Sequence, residues 1–233
     1  MKFTYLILNF FVILIPFIYS FHPRLKFYKE LPSFICSTLL VGFIFIIWDV
    51  YFTQFGYWGF NSKYISGIWF FSLPLEELLF FFCIPYACVF TYHVLECLSP
   101  ISDHKNARKF TILFSVILFL LGCLFMDKWY TSITFISLSI VLLLAMNLVN
   151  ITKFYRAYLI LLLPFVITNG LLTGSMIEDQ VVWYDNNYNL GIRLFTIPIE
   201  DVFYGMLLLL MNVVIYELLR KSLFKRFDVR QST

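Results

Sequence analysis

The sequence has few charged residues. Of its 233 residues, 13% are Asp, Glu, Lys or Arg and 61% are hydrophobic, whereas a soluble domain carries about 25% charged residues. No linker, Ser/Pro-rich tail or low-complexity tract separates its long apolar runs. Apolar runs of roughly 18 or more residues predict transmembrane helices. The composition therefore excludes an ordinary soluble domain and predicts a chain embedded in a lipid bilayer along almost its whole length.

Motifs that define several other kinds of site are also missing. The five cysteines form no CxxC pair, and we interpret them as small apolar packing residues. The three histidines lie far apart without HExxH spacing, so we expect no metal site. No G-x-G-x-x-G fingerprint is present, and no aspartate-rich diphosphate motif occurs. We expect no nucleic-acid partner, because membrane topology accounts for the positions of the cations.

Seven apolar segments predict an all-α integral membrane protein with seven transmembrane helices. Lys2 before the first segment resembles the start of a signal peptide, but no small-residue cleavage site follows, so we keep this segment as a mature span. The predicted spans are Thr4–Ser20, Ser33–Tyr51, Ile65–Tyr92, Thr111–Phe125, Tyr130–Asn147, Tyr158–Leu172 and Leu194–Leu218.

The loop cations predict the orientation of these spans. Most Lys and Arg residues fall on one side of the membrane, and the positive-inside rule assigns that side to the cytoplasm. In a bacterial-type cytoplasmic membrane the N-terminus would then be outside and the C-terminus cytoplasmic. The cations on the predicted cytoplasmic side are Arg24, Lys26, Lys29, Lys105, Arg108, Lys109, Lys153, Arg156, Arg220, Lys221, Lys225, Arg226 and Arg230.

An internal repeat relates the two halves of the chain at an offset of 124 residues. The segment Leu73–Glu77 (LPLEE) aligns with Ile197–Asp201 (IPIED), and the same offset carries the first three spans onto the last three. The fourth span restores the direction of the chain, so we expect two parallel three-helix repeats. The predicted organisation is a first repeat over residues 1–97, a connecting span over 98–127 and a second repeat with a basic tail over 128–233.

Each repeat places one acidic pair inside a predicted span: Glu76 with Glu77, and Glu200 with Asp201. Each pair is expected about ten residues beyond the outer loop, roughly 15 Å along a helix. Ionisable residues inside a membrane are costly and mark functional sites. Burial and the adjacent acid favour a protonated carboxyl, which is the form that a general acid needs. The alternative interpretation is that hydrogen-bonded acids only hold helices together.

Several nearby residues are candidate supporting groups. Pro74 and Pro198 are expected to loosen each helix one turn before its acids, because proline removes a backbone donor and displaces the carbonyl four residues earlier. Asp49 at the end of the second span, and Asn169 and Thr173 at the end of the sixth, lie at comparable depth. Aromatic residues form 21% of the chain, either as lipid-facing bulk or as ring faces that stabilise a carbocation.

Longer motifs around these residues resemble the heterodimeric carotenoid cyclases. The stretches that look like the first subunit are Trp48–Thr53, Gly56–Asn61, Leu73–Glu77 and Ile84–Phe90. The stretches that look like the second subunit are Asn169–Gly174, Val182–Tyr184, Leu190–Arg193 and Thr196–Asp201. The whole chain is similar to the fused lycopene β-cyclases of some bacteria and archaea, and to the cyclase domain of fungal cyclase–phytoene synthases.

The resemblance implies an isomerase that cyclises lycopene, or a related hydrophobic carotenoid, without a redox cofactor. An acid protonates the terminal double bond, the neighbouring alkene attacks the cation, and a base removes a proton to leave a β-ionone ring. Glu76 and Glu200 are the principal acid or base candidates, with Glu77 and Asp201 supporting them or exchanging protons.

Two alternatives remain open. One is cyclisation of an elongated or modified carotenoid, or formation of an ε or γ ring. The other, from a different class, is a proton-coupled membrane transporter, which predicts a more polar path than these spans offer. The lipid bilayer, and other enzymes of carotenoid biosynthesis, are the partners that the resemblance implies.

Overall fold

The computed structural model describes residues 2–231, with side chains described up to residue 222. The predicted cytoplasmic cations Lys225, Arg226 and Arg230 lie outside these described side chains. Within residues 2–231 the fold is mainly helical, with seven α-helices in chain order. They are α1 (Thr4–Tyr19), α2 (Leu31–Gln54), α3 (Leu75–Leu98), α4 (Lys105–Leu124), α5 (Trp129–Ala145), α6 (Ile151–Leu172) and α7 (Ile199–Gln231).

Five of these helices have the length and apolar character of membrane spans. They are α2 with the 3₁₀ turn before it, α3, α4, α6 and the first part of α7 to Ser222. Helices α1 and α5 are apolar but shorter, with 16 and 17 residues. At 1.5 Å per residue they extend about 25 Å, against a hydrocarbon core of about 30 Å. The described residues therefore form a multi-pass helical membrane protein.

Within the described part of the chain, six short strands accompany the helices, and they were not predicted. Their ranges are β1 (Trp58–Phe60), β2 (Trp69–Phe70), β3 (Leu73–Pro74), β4 (Val182–Tyr184), β5 (Arg193–Leu194) and β6 (Ile197–Pro198). Strands β2 and β3 form one antiparallel hairpin, and β5 and β6 form another. Because these hairpins occupy sequence that we assigned to the third and seventh spans, the predicted starts of those spans, at Ile65 and Leu194, are wrong.

The same hairpins correct the role predicted for the two prolines. Pro74 and Pro198 end β3 and β6, and α3 and α7 begin at the next residue. Pro74 has φ −71° and ψ 154°, which is extended backbone outside the helix. A proline before the first helical turn breaks no helical hydrogen bond, since it would have had no intrahelical partner there. The prolines therefore start the helices and do not loosen them.

The two hairpins share an uncommon backbone conformation. Their two-residue loops begin with Phe71 at φ 55° and Phe195 at φ 57°, although few residues other than glycine adopt positive φ. Tight two-residue hairpins require positive φ in the loop. The two phenylalanines are 124 residues apart, so the offset predicted from the acidic motifs also relates the local backbone of the two halves.

A two-stranded ribbon, formed by β1 and β4, joins the halves. Trp58 pairs with Tyr184, and Gly59 pairs with Trp183. The strands are themselves 124 residues apart, so each strand pairs with its own counterpart in the other half. Gly59 is required at the centre, because a Cβ there would collide with the Trp183 ring.

The helices surround one main core. Helix α2 packs against both α3 and α7, while α1 packs on α3, and α5 packs on α7 and α4. The buried core runs through α2, α3, α5, α6 and α7. Helix α2 thus contacts both α3 and α7, which also contact each other. We call the region where these three helices meet the seam.

An ionic cluster lies across this seam, at the C-terminal end of α3 and at the corresponding turn of α7. The Arg220 guanidinium donates to both oxygens of Glu96, at 2.8 and 3.0 Å. The Lys153 ammonium lies 2.7 Å from Glu96 and 3.4 Å from Glu217. We assigned Lys153 to a loop, but it lies in the first turn of α6, where its carboxylate partners keep it buried. Glu96 and Arg220 are 124 residues apart, so this ion pair joins corresponding positions of the two halves.

Candidate active site

The four predicted acids lie in the first turns of α3 and α7. All are buried: Glu76 and Glu200 are fully inaccessible, Glu77 is 8% exposed and Asp201 is 4% exposed. The prediction that each pair lies about ten residues inside a helix is wrong, because the preceding residues form hairpins. The first turn of a helix has free N–H groups and a positive end of the helix dipole, both of which favour acidic side chains.

The first acid of each pair binds a backbone amide of its own outer loop. Glu76 Oε1 accepts from the N–H of Ser66 at 2.6 Å, and Glu200 Oε1 accepts from the N–H of Leu190 at 2.8 Å. Both contacts span ten residues and are related by the offset of 124. In each glutamate the second oxygen, Oε2, is buried without a hydrogen-bond partner in the structure.

The second acid of each pair accepts a hydrogen bond from a tyrosine. The hydroxyl of Tyr5 in α1 donates to Glu77 Oε2 at 2.6 Å. The hydroxyl of Tyr130 in α5 donates to Asp201 Oδ1, also at 2.6 Å. The short helices α1 and α5 therefore each supply one phenol to the acids of their own half.

Asp201 accepts more side-chain hydrogen bonds than Glu77 does. Its Oδ2 accepts from Asn169 Nδ2 at 2.8 Å and from the Tyr184 hydroxyl at 3.0 Å. With Tyr130, three donors satisfy the carboxylate of Asp201, whereas one hydroxyl donates to Glu77. Burial, and then the charge of Asp201, raise the pKa of Tyr184 in the ribbon well above its ordinary value, so this hydroxyl keeps its proton and acts as a donor.

A fifth buried acid, Asp49, comes from α2 and is 1% exposed. Helix α2 continues to Gln54, so Asp49 lies inside the helix and not at its end as predicted. The Trp58 indole N–H donates to Asp49 Oδ1, and Oδ2 is buried without a partner. The residue 124 positions later is Thr173, whose hydroxyl donates to the backbone carbonyl of Asn169 at 2.8 Å. The second half therefore has no carboxyl equivalent to Asp49.

Three rings from α2, α3 and α7 form an aromatic floor beneath these acids. The Phe45 ring lies 6.2 Å from Phe81 and 5.0 Å from Tyr204, measured between ring centroids. The Tyr204 ring also lies 5.3 Å from Trp48. The floor thus crosses the seam between the halves.

Each ring of the floor lies three or four residues from one carboxyl on the same helix. Residues at this spacing share one face of a helix, so the carboxyls form a layer directly outside the floor. The three carboxyls of this layer are Asp49, Glu77 and Asp201. Glu77 lies within electrostatic range of the other two, and Tyr204 lies within range of all three. The two repeats therefore contribute to one shared site.

Apart from Asn169, the sequence did not identify the side chains that donate hydrogen bonds to these acids. Tyr5 and Tyr130 are 125 residues apart, one more than the repeat offset, so the alignment does not match them. Trp58 and Tyr184 stand in the motifs quoted for the resemblance, but without a role. Among the predicted supporting residues, Asn169 contacts an acid directly and Thr173 contacts the Asn169 backbone and Thr196.

Comparison with known proteins assigns the family. A family model described as lycopene cyclase matches residues 2–95 and 127–219. The two matched regions cover most of the chain and lie on either side of helix α4, the whole of which is left out of the match. Searches of curated protein sequences and of solved structures find no significant match. The chain belongs to the lycopene cyclase family.

Proposed function

We propose that this protein cyclises the end groups of lycopene to β-ionone rings by proton transfer alone. Membership of the lycopene cyclase family supports a carotenoid cyclase, and favours it over the proton-coupled transporter that paired acids also suit. The observation that carries the proposed mechanism is that Glu77 and Asp201, one from each repeat, lie within electrostatic range of each other in a single carboxyl layer.

The reaction needs an acid and a base at the same end group. A neutral carboxyl must donate a proton to the terminal double bond, which leaves a tertiary carbocation. The neighbouring alkene then attacks this cation and closes the ring, and a carboxylate removes a proton from the ring carbon. The product is an isomer of the substrate, so the step requires no oxidant or reductant.

The hydrogen bonds support a proposed division of these two roles. Three donors stabilise the charged form of Asp201, and hydrogen bonds to a carboxylate favour it over the acid. Asp201 is therefore the base. Glu77 has one donor and lies within electrostatic range of two other carboxyls, and like charges in range favour its neutral form. Glu77 is therefore the acid.

The first acids of the pairs have a supporting role in this mechanism. The sequence alone favours Glu76 and Glu200 as the principal groups, but each binds the backbone of its own outer loop. This contact fixes the loop against the helix start that carries the adjacent acid.

The aromatic floor supplies the remaining requirement of the reaction. Ring faces attract a cation by about 0.5–2 kcal/mol each, and the face of an aromatic ring presents no lone pair to trap it. Phe45, Phe81 and Tyr204 lie directly beneath the carboxyl layer. A carbocation formed beside Glu77 would lie next to these rings until Asp201 removes the proton.

The proposed membrane arrangement has seven spans in two parallel repeats, with the N-terminus outside. Contacts repeated at an offset of 124 support the two repeats. The apolar tips of the hairpins support contact with lipid at the outer ends of the helices, since Phe71 is 91% exposed and Phe195 is 79% exposed. A bilayer thins locally around short spans, which accommodates α1 and α5. The carotenoid would reach the seam from the bilayer.

Expression in a bacterial host that accumulates lycopene tests the proposal. The wild-type chain should yield β-carotene, with the monocyclic γ-carotene as an intermediate. Glu77→Gln and Asp201→Asn should each lower the yield at least about 100-fold, as expected for loss of a general acid or base. Asp127→Asn changes an exposed acid in the loop before α5 and should leave the yield unchanged.

Each other outcome has a defined meaning. Untouched lycopene, with the wild-type protein present in the membrane, would overturn the cyclase assignment for this substrate. Rings of the ε or γ type would retain the cyclase and refute the β assignment. A normal yield of product from Glu77→Gln would refute the assigned acid, and a normal yield from Asp201→Asn would refute the assigned base.

A further inference from the structure

Resting on the proposed function, we infer that Asn169 and Tyr184 determine which ring type forms, because they leave Asp201 a single site that can accept the proton. Ring closure leaves a cation on a ring carbon whose three neighbouring carbons all carry hydrogen. Loss of a proton from each of these carbons gives a different ring, β, ε or γ. The position of the accepting oxygen therefore decides the product, and the two side chains that fix this oxygen are positioning residues.

The hydrogen bonds to Asp201 leave one acceptor site open. A carboxylate has about four lone-pair sites, about two on each oxygen. Oδ2 accepts from Asn169 Nδ2 at 2.8 Å and from the Tyr184 hydroxyl at 3.0 Å, so both of its sites are occupied. Among the described residues, Oδ1 accepts from the Tyr130 hydroxyl alone, at 2.6 Å. The site that remains for a proton is therefore on Oδ1.

The first half of the chain has no counterpart of the two Oδ2 donors. At the offset of 124, the counterpart of Asn169 is Phe45, and the counterpart of Tyr184 is Phe60. The phenol from the short helix is present in both halves, so that contact is common to the repeats. A donor that only stabilised the repeat would be expected in both halves. The Oδ2 donors occur in the half that carries the proposed base, which indicates a role in its reaction.

The end of α6 holds Asn169 in place. Its backbone carbonyl accepts a hydrogen bond from the Thr173 hydroxyl at 2.8 Å. The same hydroxyl lies 2.8 Å from that of Thr196, which is in the loop of the hairpin that precedes α7. These contacts join the end of α6 to the start of the helix that carries Asp201. The amide of Asn169 is therefore fixed relative to the carboxylate.

The ribbon holds Tyr184 in place. Tyr184 of β4 pairs with Trp58 of β1, and their ring centroids lie 6.0 Å apart. The Tyr184 ring is also nearly parallel to that of Tyr130, at 6.1 Å and 15°, and the Arg193 guanidinium lies 5.7 Å from its centroid. These contacts come from both halves of the chain and restrict the ring, so its hydroxyl remains at Asp201.

The proposed step transfers one proton and needs no other reactant. A C–H bond beside the cation breaks, and its electron pair becomes the ring double bond. The proton goes to the open site on Oδ1, while the hydrogen bonds from Asn169 and Tyr184 remain on Oδ2. Removal of either donor opens a second acceptor site, on the other oxygen. A second site reaches a second C–H bond, so a second ring type should form.

Expression of the full chain in the lycopene-accumulating host, followed by chromatography with absorption spectra, tests the inference. The β ring extends the conjugated chain and the ε and γ rings do not, so the spectra distinguish the products. Asn169→Leu keeps a side chain of similar size and removes the donor, and Tyr184→Phe keeps the ring and removes the hydroxyl. In each variant the ratio of minor ring types to the main type should rise at least about tenfold, as expected for loss of a hydrogen bond to a charged group.

Tyr188→Phe is the matched control for Tyr184→Phe. It removes a tyrosine hydroxyl from the same outer loop, where the ring stacks on Tyr57 at 4.0 Å between centroids, and it should leave the ratio of ring types unchanged. This ratio is measured within one protein and does not depend on the expression level. A side chain that only stabilises the fold would lower the total yield and leave the ratio as it is.

An unchanged ratio, or loss of all product, in either variant that reaches the membrane would overturn the inference and leave the cyclase standing. Comparable amounts of two ring types from the wild type would do the same. If Asn169→Leu does not accumulate in the membrane, the ratio from Tyr184→Phe decides in its place. Absence of any cyclised product from the wild type would instead refute the proposed function itself.

Discussion

The ion pair between Glu96 and Arg220 gives the sharpest prediction about how the two halves are held together. The two side chains make a bidentate contact at 2.8 and 3.0 Å, at corresponding positions of α3 and α7. A double-mutant cycle with Glu96→Gln, Arg220→Gln and the double variant isolates this contact, because each change removes one charge and the cycle subtracts the cost of each single change.

The expected magnitudes follow from burial and from the remaining partners. The Glu96 side chain is 33% exposed and that of Arg220 is 19% exposed, so solvent screens the pair in part. Breaking a fully buried pair costs about 3–5 kcal/mol, and we expect about 2–3 kcal/mol here for each single variant. Glu96→Gln also leaves Lys153 with only Glu217, at 3.4 Å, among its carboxylate partners.

The assay is the free energy of unfolding of the detergent-solubilised protein, titrated with SDS in mixed micelles. The double variant should be less destabilised than the sum of the single variants by about 0.5–3 kcal/mol, the range for residues in direct contact. Single costs that add to within about 0.5 kcal/mol would refute the reasoning, since the ion pair would then contribute nothing to the seam.

Two further predictions concern the ribbon and the floor. Gly59→Ala places a Cβ against the Trp183 ring and should lower the free energy of unfolding by about 1–3 kcal/mol through overpacking. In the control Gly42→Ala the Cβ would meet only an ordinary contact at 3.9 Å, so this free energy should change by less than half as much. Equal effects of the two substitutions would contradict the packing argument. Tyr204→Phe keeps the ring face and should retain most cyclase activity in the lycopene host. Tyr204→Leu removes the ring and should lower the activity roughly 5–30-fold, as expected for loss of about 1–2 kcal/mol of cation stabilisation. Equal activities of the two variants would show that the ring face is not used.

The repeat could be read from the sequence because it recurs in residues with strong local constraints. The motif Leu73–Glu77 and its counterpart set the offset of 124, and the same offset relates the hairpins, the loop contacts of the glutamates and the ion pair at the far end. A duplicated segment keeps its backbone hydrogen bonds, so a short motif was sufficient to align much longer stretches.

The hairpins could not be read from the sequence. Each has strands of two residues, and its tip places a phenylalanine, Phe71 or Phe195, at positive φ, where turn preferences call for Gly or Asn. Such apolar residues are indistinguishable by composition from a helical span. Because of this error, the acids were predicted in the middle of a helix instead of in its first turn. The prolines were also predicted to have a role that they do not have.

The partners of the acids were missed for a different reason. Tyr5, Trp58, Tyr130 and Tyr184 act through single polar atoms at the edges of large rings. In a chain with 15 Tyr and 29 Phe, nothing in the sequence separates a tyrosine that donates to an acid from one that lies at the membrane interface. Their roles follow only from the folded positions of α1, α5 and the ribbon.

The most direct test of the central claim is incubation of the purified chain in liposomes with lycopene, in parallel with Glu77→Gln, followed by chromatography of the pigments. We expect the wild type to convert lycopene through a monocyclic carotenoid to β-carotene, and the variant to leave lycopene unchanged. Unchanged lycopene with the folded wild-type protein, or equal conversion by both proteins, would contradict it.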